Sequence, residues 1–365
     1  MKLLSQIDVS GKTVFVRADL DVSTGSEDHF ETGTRLANLK TTISYLLGKQ
    51  AKVIIAGHID RPTPRLLDGK PVLDPKLSTR QLVAPLEKIL GVKIAFSEQL
   101  TADSLQMTGN NQSNVGGPAD AKASVDEQVS NVILLENLRF WPGETENSED
   151  FARELASLAD VYVNEAFGNS HRNHASMVAL PKLLINHSAG FHLEQEVEEL
   201  SNLLSRPQRP FVAIVGGAKM ETKLPLLEHL AKIADLVLVG GELPLEIANQ
   251  QIKFPPKVVV AQLTEDTKDI SDKSIDKFEV LISRAKSVVW NGPLGLYEEG
   301  NTAGSLGVAE AVIESSAYTV VGGGETAEFL AKNNLLSKFS FVSAGGGAML
   351  EFLSGKKLPA LVALE

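Results

Sequence analysis

The chain has 365 residues, 43% hydrophobic and 22% charged, which suits about two packed domains and excludes a disordered chain. Its net charge of −11 argues against general nucleic-acid binding but leaves room for a local basic pocket. There is no cysteine, so disulfides, a thiolate nucleophile and Cys-based metal sites are excluded. The opening MKLLSQIDVSGK lacks a signal-peptide core and no run has the length of a membrane span, so no membrane partner and a cytoplasmic location are expected.

Residues 12–17 (KTVFVR) read as a buried strand running into Ala18, Asp19, Leu20 and Asp21. A helix is expected over 34–48, capped by Thr34 or a near neighbour, with Arg35 in its first turn. A cation there opposes the helix dipole, so something other than the helix should reward it. A strand over 52–57 ends in His58-Ile59-Asp60-Arg61-Pro62; a helix over 78–90 and a short strand over 92–96 follow. Residues 101–131 are rich in Asn, Gln, Ser and Gly and read as part helix, part exposed loop. A strand over 132–136 leads to Arg139. A helix over 148–159 has Ser148 as cap. A strand over 160–164 leads to His171, Arg172 and His174. Strand and helix in alternation imply a parallel sheet with crossover helices. Arg17, Arg35, Arg61, Arg139 and Arg172, with His58, His171 and His174, fall at strand ends or the starts of the next helices, the edge where open α/β sheets bind ligands. Convergent guanidiniums suit a ligand with phosphate and carboxylate groups, because each can donate two parallel hydrogen bonds.

Residues 192–205 (HLEQEVEELSNLLS) carry Leu193, Val197, Leu200, Leu203 and Leu204 at helical spacing, with Glu194, Glu196, Glu198 and Glu199 mostly between them. This reads as an amphipathic interdomain helix, because the two sides of it differ. Beyond it, strands over 211–215, 235–239, 287–290, 318–321 and 340–343 each run into a glycine-bearing turn, with a further strand over 257–261 and a helix over 273–285. Glycine at such turns lets backbone N–H groups approach phosphate closely. Several turns of this kind, with Lys219 and Lys223 one helical turn apart, point to a nucleotide-binding half. No G-x-G-x-x-G follows a strand, and no P-loop is present. The expected fold is α/β, with two doubly wound parallel-sheet (Rossmann-like) domains over 1–185 and 206–345, joined by a central helix within 186–205. Residues 346–365 are expected to form a last helix and tail packing back near the cleft.

The segments VRADLDVS, HIDRP, LLENLRFWPGE, VYVNEAFGNSHRNHAS, RPFVAIVGGAKMETK, VVWNGPLGLYE, VVGGGETAEFL and SAGGGAMLEFLSGKKLP resemble phosphoglycerate kinase in order and spacing, nearly end to end. The resemblance implies reversible phosphoryl transfer between 1,3-bisphosphoglycerate and ADP, giving 3-phosphoglycerate and ATP in glycolysis, by a monomer. It implies that Asp19, Asp21, Arg35, His58, Arg61, Arg139 and Arg172 hold the glycerate. It implies that Lys223, Glu298, Gly323, Gly324, Glu325 and Thr326 hold the nucleotide and its Mg²⁺, with Glu325 at the metal. Arg35 and Lys219 are the expected catalytic residues, since such transfer is carried by positioning and charge neutralisation.

The chain departs from the family pattern at four places. Asp21 stands where Asn is usual, Asp60 where Gly is usual and Glu325 where Asp is usual. After Gly241, Glu242-Leu243-Pro244 begins a much shorter path to Lys257. A shorter path leaves part of the base pocket in question, so weak discrimination between bases is expected. These departures suit an alternative, a catalytically reduced relative that only binds ligands. A third reading is a haloacid-dehalogenase-type phosphatase, because VFVRADLDVS resembles the strand and Asp-x-Asp start of those enzymes. The paired acidic motif they also use is missing, since the chain has no Asp-Asp pair.

Overall fold

A computed structural model describes residues 1–22, 35–68, 70–100 and 130–365. Thr34 and nearly all of the polar stretch 101–131 therefore lie outside the described residues. The chain forms two compact units. One comprises Met1–Ala166, Arg172–Leu193 and Pro359–Glu365; the other comprises Phe167–His171 and Glu194–Leu358.

The first unit is built on a six-stranded sheet of β1 (Thr13–Arg17), β2 (Lys52–Ala56), β3 (Ala95–Ser97), β4 (Val132–Leu135), β5 (Val161–Asn164) and β6 (His187–Ala189). Its order is β3-β4-β2-β1-β5-β6, and every pairing is parallel. Val14, Phe15 and Val16 are all fully buried, so both faces of β1 are covered, as expected of a parallel sheet between helices. Leu39, Ile43 and Leu46 of α1 (Leu39–Gly48) share one core with Val14, Val16, Val53 and Ile55. Their spacing puts all three on one helix face. Residues 35–37 are also helical, but Asn38 forms a turn before α1 begins, so the helix expected over 34–48 is interrupted. Ser148 does cap the next crossover helix, accepting from Phe151 N. Strand β6 has no strong local signal; it becomes a strand by pairing with β5, His187 lying opposite Tyr162.

The second unit carries β7 (Phe211–Val215), β8 (Leu236–Val239), β9 (Val258–Val260), β10 (Ser287–Asn291), β11 (Tyr318–Gly322) and β12 (Phe341–Ser343). The order is β9-β8-β7-β10-β11-β12, again all parallel. Counted within this unit, that is the 3-2-1-4-5-6 order of dinucleotide-binding sheets, with the switch point between β7 and β10. Two helices here, Leu243–Asn249 and Ala303–Glu314, are not foreseen by the sequence reading. The second contains Gly304 and Gly307 and has no side-chain cap of its own. Asp269 supplies one from elsewhere in the unit, accepting Gly304 N at 3.0 Å.

Helix α2 (Phe191–Ser205) is divided, its first three residues grouping with the first unit and the rest with the second. Leu193, Leu200 and Leu203 are buried as the apolar spacing requires. Glu196 departs from that pattern: it is fully buried, and its Oε1 accepts Ala344 N at 2.6 Å. Glu199 also has a partner, accepting the Tyr318 hydroxyl. The acidic residues of this helix are therefore not one solvated face. Among the described residues, no helix is long and apolar enough to cross a membrane.

The start of α2 is held by a carboxylate within the first unit. Glu165, just past β5, accepts Leu193 N at 3.0 Å, His192 N at 3.4 Å and the Thr42 hydroxyl, while Thr42 Oγ1 accepts Phe191 N at 3.1 Å. Helix-initial N–H groups thus find acceptors without water. Burial is complete, and it outweighs these donors, pushing the Glu165 carboxyl up from 4.5 to about 7. A raised folded-state value means that the native state holds the proton more tightly than the unfolded chain. The associated stability is fully present below about pH 4.5 and is lost as pH rises through about 7, a change of roughly 3 kcal/mol. Glu165→Gln cannot ionise. Its urea-unfolding free energy, relative to the unaltered protein, should therefore gain by roughly that amount between about pH 4.5 and about pH 8. A pH-independent difference would refute the assignment.

Candidate active site

On the first unit, the chain leaving β1, β2, β4 and β5 gathers most of the residues singled out from the sequence. Arg17 ends β1 fully buried, with Nε donating to Ser176 Oγ at 2.7 Å, Nη1 to Ala18 O and Nη2 to His58 Nδ1 at 2.9 Å. His58 lies one residue past the end of the β2 turn at Gly57, and its Nε2 is 3.8 Å from Asp21 Oδ2. Arg35 Nη1 donates to Asp21 O at 2.8 Å and stands 3.7 Å from Asp19 Oδ1. Arg139 Nη1 donates to Asp60 O, and Asn137 fixes that turn by accepting Arg139 N and donating to Ile59 O and Leu77 O. Arg61 is exposed, its backbone N–H held by Asp60 Oδ1. His174 lies 3.7 Å from Glu144, and its ring centroid is 6.0 Å from that of His58. His171 groups instead with the second unit, where it packs near Gly347.

The electrostatics of this cluster favour an anion. Burial lowers Arg139 to about 10, which still leaves it a cation at neutral pH. Arg139 Nε and Arg172 Nε are buried and have no hydrogen-bond partner among the described residues. Two departures from the family pattern meet here. Asp60 has φ 53°, the left-handed region that favours glycine and that Asp tolerates better than most residues. In that conformation its N–H reaches Asp21 Oδ1 at 2.7 Å, so Asp21 and Asp60 form one local arrangement.

On the second unit, the switch point is built from backbone. Gly216 N donates to Asn291 O at 2.9 Å and Gly217 N to Pro293 O at 2.8 Å. Gly292 has φ 95°, and a Cβ on it would overlap Gly216, so the two turns touch in a way only glycine allows. Lys223, in helix Met220–Ile233, is buried, with Nζ donating to Asn291 Oδ1. Burial lowers its amine to about 8, with Glu325 acting in the opposite sense. Asn291 Nδ2 donates to Gly322 O at 2.8 Å, tying this lysine to the glycine turn that starts helix Gly324–Lys332. Thr326 Oγ1 accepts Gly292 N at 2.8 Å. Lys219 precedes its helix and is exposed. A cavity of about 110 Å³ is lined by Gly217, Gly241, Glu242, Lys268, Glu298 and Glu325 among others. The short path after Gly241 therefore contributes Glu242 to this wall before forming the helix Leu243–Asn249.

Lys223, Gly323, Glu325 and Thr326 are thus gathered around the ends of β10 and β11, with Glu298 beside them on the cavity wall. Asn291 is expected from the sequence only as part of a phosphate-holding turn, with no role for its side chain, and Glu144 and Ser176, which belong to no strand-end cluster, carry no sequence signal of a role.

One sheet that gathers guanidiniums and another that offers glycine turns and a buried lysine at its switch point define an α/β protein that handles phosphorylated ligands. A family model described as phosphoglycerate kinase matches residues 4–253 and 245–356. The phosphoglycerate kinase of Anaeromyxobacter dehalogenans (strain 2CP-C) is 35% identical, over 100% of this chain and 99% of the relative. The cytosolic phosphoglycerate kinase of Triticum aestivum is 34% identical, over 99% and 97%. Among solved structures, the phosphoglycerate kinase of Coxiella burnetii aligns with a TM-score of 0.79 at 29% identity, covering 100% of this chain and 98% of that one. The chain belongs to the phosphoglycerate kinase family. It is accordingly a phosphotransferase with a carboxyl group as acceptor, and the phosphatase alternative is set aside.

The Thr326–Gly292 bond offers a direct stability test. Thr326→Val keeps the side-chain shape but leaves a buried N–H without an acceptor, which costs about 1–3 kcal/mol. Urea denaturation should show that loss with an unchanged slope; no loss would mean that the N–H finds another acceptor.

Proposed function

We propose that the chain transfers a phosphoryl group reversibly between 1,3-bisphosphoglycerate and ADP, with the glycerate on the first unit and the nucleotide on the second. The observation that carries this reading is the gathering of Arg17, Arg35 and Arg139 with His58 at the C-terminal edge of the first sheet. Such a cluster matches a ligand bearing both phosphate and carboxylate. Asp19, Asp21, Arg35, His58, Arg61, Arg139 and Arg172 hold the glycerate. Lys223, Glu298, Gly323, Gly324, Glu325 and Thr326 hold the nucleotide, the N-terminus of helix Gly324–Lys332 meeting its phosphates. Lys219 is exposed at the start of its helix and serves the group in transfer. Helix Phe191–Ser205 is the interdomain connector, a role supported by its division between the two units. A cytoplasmic monomer goes with this reading; the wheat relative is named as cytosolic.

Mg²⁺ fits the residues present. It commonly takes one or two carboxylates plus substrate phosphates, not a cage made wholly of protein. Glu325 and Glu298 offer oxygen ligands on the cavity wall, and no cluster of three metal-binding side chains occurs among the described residues. When bound, the ion would neutralise phosphate charge; Glu325 would hold it, keeping that carboxylate from repelling the nucleotide at a helix N-terminus. Arg35 offsets the charge of Asp19 and orients the ligand beside Asp21. Lys219 offers a cation to the equatorial oxygens.

Turnover of purified protein with 3-phosphoglycerate, ATP and Mg²⁺ tests the reading as a whole, and its absence in folded protein would favour the ligand-binding alternative. In that assay Arg35→Ala should lower kcat by at least ~100-fold with the fold intact, the scale of a lost transition-state donor. Near-normal kcat would remove Arg35 from the mechanism. Glu325→Gln should raise the Mg²⁺ concentration needed for half-maximal rate, whereas an unchanged requirement would leave Glu325 as a helix-terminal charge only.

A further inference from the structure

Behind the guanidinium cluster lies a chain of buried contacts in which Glu144 and Ser176 carry none of the roles above. Glu144, on the short helix Pro142–Thr145, is fully buried; its Oε2 accepts Ser176 N at 3.0 Å and its Oε1 accepts the Ser176 hydroxyl at 2.6 Å. A hydroxyl has a single proton, and here it is given to Glu144. The remaining lone pairs of Ser176 Oγ then face Arg17 Nε at 2.7 Å. Tyr162 on β5 donates to Ser176 O at 2.8 Å and pins the backbone of the same residue. With Nε held by Ser176 and Nη1 by Ala18 O, Arg17 presents Nη2 to His58 Nδ1 at 2.9 Å.

A guanidinium has donors only and remains charged at every pH the fold survives. At the Arg17–His58 contact, therefore, Nδ1 must be the acceptor, and the imidazole proton must sit on Nε2, the nitrogen facing Asp21. We propose that Glu144, Ser176 and Arg17 form a buried positioning relay that holds His58 in its neutral tautomer with the proton on Nε2, so that it offers an N–H donor without a charge. A second proton on Nδ1 would break the Arg17 contact and set two cations against each other. Among the described residues, the other charged groups around the ring are Arg139 after β4, Arg172 and His174 on the segment before Ser176, and Asp21 after β1. Of these only Asp21 favours protonation, from 3.8 Å and about 41% exposed. Burial, followed by Arg17 and the other cations, holds His58 well below its usual range. Neither Glu144 nor Ser176 reaches His58, so both act through Arg17.

Long-range ¹H–¹⁵N spectra of the full-length, ¹⁵N-labelled protein test this directly. His58 should show an unprotonated Nδ1 and a protonated Nε2, unchanged from about pH 5.5 to about pH 8.5, well across the ordinary histidine range. In Ser176→Ala, Arg17 loses its fixed acceptor, and His58 should show mixed tautomers or begin to titrate within that window. KM for 3-phosphoglycerate should rise by about tenfold, the scale of one hydrogen bond to a charged group, with KM for ATP unchanged. Ser176→Thr keeps the hydroxyl and should restore the tautomer. A proton on Nδ1, or titration of His58 near its ordinary value in the unaltered protein, would overturn the proposal even if no variant folds. An unaltered His58 spectrum in folded Ser176→Ala would remove the relay. The KM arm rests on the phosphoglycerate reading, but the tautomer does not. Failure to turn over 3-phosphoglycerate with the Nε2–H tautomer intact would therefore count against that reading alone.

Discussion

Arg17 is fully buried at the end of a strand, and the chain around it is arranged to meet its donors. A charge removed from water costs several kcal/mol unless hydrogen bonds and opposite charge replace the solvent. Ser176, Ala18 and His58 supply the bonds, and Glu144 supplies the opposite charge through Ser176. The same constraint recurs in the second unit. Glu196 needs Ala344 N–H, Asp269 needs Gly304 N–H, and Lys223 needs Asn291. Each of these buried ions ties two distant stretches of chain together.

On the proposed reading, the two units meet anions by different means. The first uses side chains whose charge is fixed; guanidiniums stay protonated and keep their planar donor geometry. The second uses backbone, because the β7 and β10 turns approach so closely that side chains are excluded at Gly216 and Gly292. Lys223 donates to Asn291 at this backbone cradle, and burial leaves its amine at about 8. A phosphate would restore the charged form by supplying the opposite charge that burial withholds.

The departures from the family pattern acquire physical content in the structure. Asp60 tolerates a left-handed turn, and the N–H so displayed is taken by Asp21. The extra negative charge of Asp21 is thus partly engaged by backbone and sits opposite His58 Nε2. Glu325 and Glu242 both line the small cavity on the second unit, where Lys268 is already paired with Glu299 at 2.6 Å. That cavity is acidic on balance, which suits a nucleotide arriving with a divalent cation.

Much of the architecture was legible from residue order. The apolar runs at Val14–Val16 and Phe211–Val215 announce buried parallel strands, and glycine after a strand announces a close backbone turn. Strand-end arginines mark a ligand edge because parallel sheets bring their C-terminal ends to one side. By itself, then, the sequence determined two doubly wound sheets, one edged with arginines and histidines and the other with glycine turns. Only the tertiary structure decided that Glu196 is buried, that His187–Ala189 is a strand, that Ala303–Glu314 is capped by Asp269 and that Glu144 stands behind Arg17 through Ser176. The reason is the same in each case. Local pattern records what a residue prefers beside its neighbours, whereas the partner that makes a buried charge or a weak strand tolerable comes from a segment far away in the chain.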